Sequence, residues 1–260
     1  LRILFVGDVV GKPGREILRQ QLNEIQDQYH IDFTIANGEN AANGTGINKR
    51  IFEEISNYGV DVVTMGNHVW DKKEILDFID HEERIIRPAN YPPGTPGKGW
   101  NIFSVNQVKI VVINLAGRVF LPALDCPFQA MERILAEIKD LTPNVIVDFH
   151  GEATSEKQAM GWYLDGRVSA VLGTHTHIQT ADARILHRGT AYMTDVGMTG
   201  PRDSVLGTDK DLVIKKFITS MPVKFEIAHG DIQLNATVLE LNKQGKAISI
   251  IPVQTMLEAL

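Results

Sequence analysis

Five short apolar runs in this chain end in the same way, and that repeated ending restricts the fold more than any other feature. Residues 3–6 run into Gly7-Asp8, residues 33–36 into Asn37-Gly38-Glu39-Asn40, and residues 61–64 into Met65-Gly66-Asn67-His68. Later, residues 145–149 run into His150-Gly151, and residues 168–172 into Gly173-Thr174-His175-Thr176-His177. A short apolar run closed by Gly or Asn reads as a buried strand. Between these runs lie stretches of helical period: Ile17, Leu18, Leu22 and Ile25 after Pro13, then Ile51, Phe52 and Ile55, then Met131, Ile134, Leu135 and Ile138. Asp71 and Glu74 stand at capping-box spacing ahead of Ile75, Leu76 and Ile79, which predicts one more helix. Further strands are expected at 109–115, 183–187, 190–194, 231–241 and 246–253, and further helices at 155–163 and 209–219. Strand–helix alternation of this kind gives an α/β sandwich, with strand pairs added late. No repeat or low-complexity linker interrupts it, and the Pro- and Gly-rich segment 88–100 is short enough for a surface loop, so residues 1–260 read as a single domain.

The chemistry sits in the endings. Asp8, Glu39, Asn40, Asn67, His68, His150, His175 and His177 all follow strands, and in an α/β sheet the carboxyl ends of the strands converge on one crevice. Carboxylate, imidazole and amide donors together suit iron, manganese or zinc. On an extended segment, His175 and His177 would turn the same way, because the strand period is two. Glu39 is the expected bridge between two ions. Two carboxylates leave two transition-metal ions net positive, so the site would draw in a phosphate ester. Two ions can clamp the attacking and departing oxygens of an in-line displacement, with a hydroxide bridging the ions as nucleophile. His68, beside Asn67, is placed to protonate the leaving alkoxide.

Composition narrows the partners. The net charge of −6 gives no field for duplex nucleic acid, so any phosphate must be held by a local positive site. The single cysteine, Cys126, allows no internal disulfide and suits a reducing compartment. No stretch approaches the about 20 apolar residues of a membrane span, and the apolar run at the start is too short for a signal-peptide core. The expectation is a cytoplasmic protein with no membrane partner; a homo-oligomer stays open.

Gly7-Asp8, Gly66-Asn67-His68, His150 and residues 173–177 resemble the motifs of calcineurin-like metallophosphoesterases. Within that superfamily the whole chain is similar to the bacterial YmdB-like proteins, through residues 7–11, 37–41, 148–152 and 194–201. The resemblance implies a four-layer α/β/β/α sandwich, a dinuclear iron-preferring site, and phosphodiesterase activity on small cyclic nucleotides, 2′,3′-cyclic above all and 3′,5′-cyclic as a further class. It implies that Asp8, Glu39, Asn40 and His177 hold one ion, that Glu39, Asn67, His150 and His175 hold the other, and that His68 is the proton donor. The superfamily's usual Asp-x-His is here Asp8-Val9-Val10, and its usual bridging Asp is Glu39. Asn40 then takes the missing histidine's place, with a weaker donor. Two other readings stay open from the residues: a phosphomonoesterase or protein phosphatase on the same site, and a regulatory module that binds a nucleotide or RNA with little turnover.

Overall fold

The structure, a computed structural model, describes residues 1–258. In chain order the elements are β1 (Arg2–Val6), β2 (Asp8–Val9), α1 (Gly11–Tyr29), β3 (Phe33–Asn37), α2 (Lys49–Asn57), β4 (Val62–Thr64), β5 (Ile85–Ile86), β6 (Trp100–Val105) and β7 (Val108–Ala116). There follow α3 (Pro127–Ile138), β8 (Val145–His150), α4 (Thr154–Leu164), β9 (Ala170–Thr174), β10 (Arg184–Ile185), β11 (Ala191–Met193), β12 (Met198–Pro201), α5 (Lys210–Thr219), β13 (Ile232–Leu241) and β14 (Ala247–Leu257).

Two sheets form. The first runs β2-β12-β13-β1-β3-β4-β5, with β14 also on β13; the second runs β10-β11-β9-β8-β7-β6. Strands β1, β3, β4 and β5 are parallel, as are β7, β8, β9 and β11, so their carboxyl ends lie at one end of each sheet. The period-two alternation of β1 builds two cores at once. Its Ile3 and Phe5 join Val112, Ile146 and Leu172 between the sheets. Its Leu4 and Val6 pack under Ile17, Leu18, Leu22 and Phe52 of α1 and α2. A third core sets Met131, Ile134 and Met160 of α3 and α4 on the far face of the second sheet. The result is the expected α/β/β/α stack of four layers. Among the described residues no helix is long and apolar enough to cross a membrane.

Besides the two-residue strands β2 and β5, which the sequence reading does not predict, the structure departs from it at three places, each for a physical reason. Asp71 and Glu74 cap no α-helix: Lys73–Asp77 is a single 3-10 turn whose N-cap, Lys72, makes no side-chain cap bond. Only Ile75 of that turn is buried, and one apolar anchor cannot sustain a longer helix. Strand β6 leaves no sequence signal because it is partly exposed along nearly its whole length and shows no alternation. Strand β12 lies inside a polar, Gly-rich stretch and pairs with β2 through only Met198 and Thr199.

Candidate metal centre

Seven of the eight candidate residues are linked by direct contacts at one place, though not on one sheet, and Asn40 adjoins them in the chain next to Glu39. Asp8, Glu39, Asn40, Asn67 and His68 follow strands of the first sheet, and His150, His175 and His177 end or follow strands of the second. The crevice is therefore the cleft between two sheets. On β8, Ile146, Asp148 and His150 alternate onto the face turned toward the first sheet, while Val147 and Phe149 pack on the helices.

The centre of the cluster is His150 Nε2. Glu39 Oε1 lies 2.9 Å from it, Asn67 Oδ1 3.1 Å and His175 Nδ1 3.0 Å. Glu39, His150 and His175 offer three ligand atoms within 4.8 Å of one another. The other nitrogen of His150 is committed elsewhere. Thr174 Oγ1 donates to Asp148 Oδ1 at 2.7 Å, so at 2.9 Å from His150 Nδ1 it must accept that nitrogen's proton. The Nε2 lone pair is thereby aimed at Glu39, Asn67 and His175, the tautomer a cation requires. Asn37 ties in the same network: its Nδ2 donates to Asp148 Oδ2 at 3.1 Å, and its Oδ1 accepts the Glu39 amide at 3.2 Å.

Asp8 and His177 form the neighbouring half, with His177 Nε2 3.8 Å from Asp8 Oδ1. His177 Nδ1 lies 3.0 Å from the Leu206 carbonyl, which can only accept, so here too Nε2 carries the lone pair. Asp8 is fixed by its main chain: its amide donates to Gly197 O at 3.0 Å, and its Oδ2 accepts the His175 amide at 3.1 Å. Gly7 is required for this approach, because a Cβ there would lie 1.9 Å from Gly197 O. Asn40 donates to Gly44 O at 2.9 Å. His68 lies 2.9 Å through Nδ1 from Asp71 Oδ2, and its amide donates to Glu39 Oε2 at 3.0 Å.

Both histidines of the His-x-His pair reach the cluster, but not by strand pleating. β9 ends at Thr174, and His175 and His177 have φ of 99° and 65°. Such values cost free energy unless the surroundings enforce them. Asp195 does so: its Oδ2 accepts the Thr176 amide at 3.0 Å and the Thr176 hydroxyl at 2.7 Å, and its Oδ1 accepts the Gly197 amide at 2.8 Å. Lys157 donates to the same Oδ2 at 2.7 Å, both groups being fully buried. Sequence reasoning gave no role to Asp148, Lys157, Glu152 or Asp195. Two of them left a signal: Asp148 interrupts an apolar strand, and Lys157 sits in helical register with Met160, Gly161 and Leu164, the buried stripe of α4. Glu152, 3.0 Å from His175 Nε2, left none.

The residues fit a cation pair. Among the described residues six buried side-chain polar atoms lack a hydrogen-bond partner, and three are Asp8 Oδ1, Glu39 Oε1 and Asn40 Oδ1. Glu39 Oε1 stands at ion-pair distance from His150 without hydrogen-bond alignment. Burying such oxygens unsatisfied is costly, and coordination satisfies them. Electrostatics agree. Burial lifts the Asp8 carboxyl to about 6, against the pull of His177 and His150. Burial also works to raise Glu39, but the charge of His150 overcomes it and holds that carboxyl at about 2. Burial works to lower His150, but the charges of Glu39 and Asp8 hold it at about 9. Burial and the charge of His150 drop His175 to about 3, so its ring stays neutral. A cation and the His150 proton would compete for one lone pair.

Comparison with known proteins identifies the family. The family model described as YmdB-like protein matches residues 4–253. Over 246 residues the chain is 53% identical to the 2′,3′-cyclic-nucleotide 2′-phosphodiesterase of Bacillus subtilis strain 168, covering 95% of this chain and 93% of that protein. The crystal structure of a hypothetical protein from Thermus thermophilus matches with a TM-score of 0.93 and 44% identity, covering 100% of both chains. That of a novel phosphatase from Mycoplasma pneumoniae matches with a TM-score of 0.94 and 35% identity, covering 99% of this chain and 94% of that one.

Proposed function

The chain belongs to the YmdB-like family, and from that premise we propose that it is a dinuclear-metal phosphodiesterase hydrolysing small cyclic nucleotides, 2′,3′-cyclic ones first. The observation that carries the reading is the gathering of Glu39 Oε1, Asn67 Oδ1 and His175 Nδ1 within 3.1 Å of His150 Nε2, beside the unpartnered Asp8 Oδ1 and Asn40 Oδ1. Asp8, Glu39, Asn40 and His177 would hold one ion. Glu39, Asn67, His150 and His175 would hold the other. Iron is the first choice for a mixed nitrogen and oxygen set in this family, with manganese or zinc as alternatives. Two such ions supply Lewis acidity, neutralise phosphate charge and lower the pKa of water.

The chain's own groups do the rest. Glu39 stands between the halves: Oε1 faces His150, while Oε2 accepts the His68 amide and so fixes where His68 begins. A carboxylate accepts only, so the Asp71 contact holds a proton on His68 Nδ1 and leaves Nε2 as the nitrogen that exchanges protons with the substrate. Nε2 is then the nitrogen able to hand a proton to the departing ribose oxygen. The His68 side chain is 34% exposed and can be reprotonated from solvent after each turnover.

The test is hydrolysis of 2′,3′-cyclic AMP by iron- or manganese-loaded protein, with Asn67→Ala and His68→Ala alongside. Turnover is expected in the native protein. His68→Ala should lower kcat by about 10²- to 10⁴-fold, and far less on an aryl phosphodiester whose leaving group needs no proton. No turnover in protein holding two ions per chain overturns the proposal. A phosphatase reading is kept alive by the Mycoplasma pneumoniae protein, called a novel phosphatase; a phosphopeptide assayed beside the cyclic nucleotide separates the two.

A further inference from the structure

We propose that the cavity beside His177 seats the nucleobase of the substrate, with Phe225 as the side chain on which the base packs. The inference rests on the phosphodiesterase reading and concerns the part of the nucleotide that the metal centre does not touch. His177 belongs to both places. Its Nε2 lies 3.8 Å from Asp8 Oδ1, and its Nδ1 donates at 3.0 Å to Leu206 O, a residue of the cavity wall. The His177 ring is therefore shared by the candidate metal centre and the cavity wall, so a phosphate held at the centre would have its sugar and base on the cavity side.

The cavity measures about 230 Å³, below the about 300–1,000 Å³ typical of drug-sized ligands and suited to one ring system. Val10, Leu206, Phe225 and Ile227 give it apolar walls, and Asn43, Thr45 and Thr208 supply neutral hydrogen-bonding groups. Glu226 adds an acceptor for an exocyclic amine. Among the described residues no lysine or arginine lines the cavity, and Lys216 meets its wall only through the Phe225 ring. These properties select a flat, neutral heterocycle with polar edges. The wall is also firm. Thr208 bridges to Ile227, and the amides of Asp209 and Ala228 donate to Glu226 O at 2.9 Å and Gly207 O at 3.0 Å. Gly207 leaves bare backbone, since a Cβ there would lie 2.8 Å from Val10 Cγ1. Phe225 is 44% exposed, and Lys216 Nζ steadies its ring at 4.8 Å from the centroid.

The test compares two substrates that share the cyclic phosphate: 2′,3′-cyclic AMP and methyl ribofuranoside 2,3-cyclic phosphate, which lacks the base. The native protein should prefer the first. Phe225→Ala should lower kcat/KM on cyclic AMP by about 5- to 150-fold, the range for losing one base–aromatic stack, mainly through KM. It should leave the base-free substrate unchanged. Equal rates of the native protein on both substrates, an equal loss on both in the variant, or no loss on either overturns the base site while leaving the phosphodiesterase standing. If the loaded native protein cleaves neither substrate, the phosphodiesterase reading fails, and calorimetric binding of 3′-AMP decides the cavity separately. Binding that Phe225→Ala weakens supports the base site, and binding that is absent or indifferent to Phe225 overturns it.

Discussion

Gly66→Ala is the smallest change that should disable the centre. A Cβ at this position would lie 2.3 Å from Glu39 Oε2, 2.4 Å from His150 Nε2 and 2.5 Å from His150 Cδ2, where ordinary contacts begin at 3.4 Å. The methyl group therefore requires Glu39 and His150 to retreat by about 1 Å, or the chain after β4 to move as far, and misplacement on that scale can cost about 100-fold in rate. Neither side chain has room: both are fully buried, Glu39 Oε2 holds the His68 amide, and His150 Nδ1 is locked to Thr174. Overpacking adds about 1–3 kcal/mol of destabilisation. The assay is kcat on 2′,3′-cyclic AMP, metal content per chain and a urea unfolding curve, each measured on Gly66→Ala and on Gly151→Ala. The second variant is the control. It lies next to His150, but its Cβ would meet only Phe149 Cε1 at 3.5 Å, Lys157 Cγ at 3.7 Å and Gly117 Cα at 3.8 Å, all ordinary distances. A Gly66→Ala protein with full metal content and kcat within about threefold of native would refute the argument that the glycine exists to let these ligands converge.

Lys157→Met leaves the Asp195 carboxylate buried without its cation, which should cost about 3–5 kcal/mol and lower Tm by on the order of 10 °C; adding Asp195→Asn should recover part of the loss, and a cost under about 1 kcal/mol for the single variant would show the pair to be dispensable. Above pH 6.5 the metal-free protein should lose stability as pH rises. Folding raises Asp8 from 3.8 to about 6 and His150 from 6.5 to about 9, so the folded state holds the extra proton across each interval. Stability from His150 is complete below 6.5 and gone above about 9, while Glu39, lowered from 4.5 to about 2, and His175, lowered from 6.5 to about 3, act in the opposite sense below pH 6.5. A urea midpoint that rises between pH 6.5 and 9 would contradict these assignments.

The sequence made the candidate site legible because parallel strands announce their carboxyl ends. An apolar run followed by Gly-Asp, Asn-Gly-Glu-Asn or Gly-Asn-His marks both the end of a strand and the residues it presents. What periodicity cannot say is which sheet a strand joins. Residues 3–6 and 145–149 look alike, yet β1 and β8 lie in different sheets, and only the family resemblance implied the second layer. The reach of His175 and His177 was expected for the wrong reason, since backbone turned to positive φ and not pleating brings the rings in. That conformation is enforced from residue 195, 20 positions after His175, and separations of that kind leave no local mark. The same applies to Asp71, whose spacing to Glu74 resembles a cap but whose carboxylate serves His68.

The cleft position of the centre governs when it can come into being. Asp8, Glu39 and Asn67 follow strands of one sheet and His150, His175 and His177 end or follow strands of the other, so neither sheet alone presents the proposed ligand set. The strand that leads to Asp8 is itself flanked by a distant one, with Ile3 opposite Leu239. Contacts so far apart in the chain form late in folding. A nascent or half-folded chain therefore offers no finished cradle in which to trap a wrong cation. On the proposed two-ion reading, metal acquisition would be a checkpoint on completed folding, and each ion that entered would join the two sheets, adding its binding free energy to their docking.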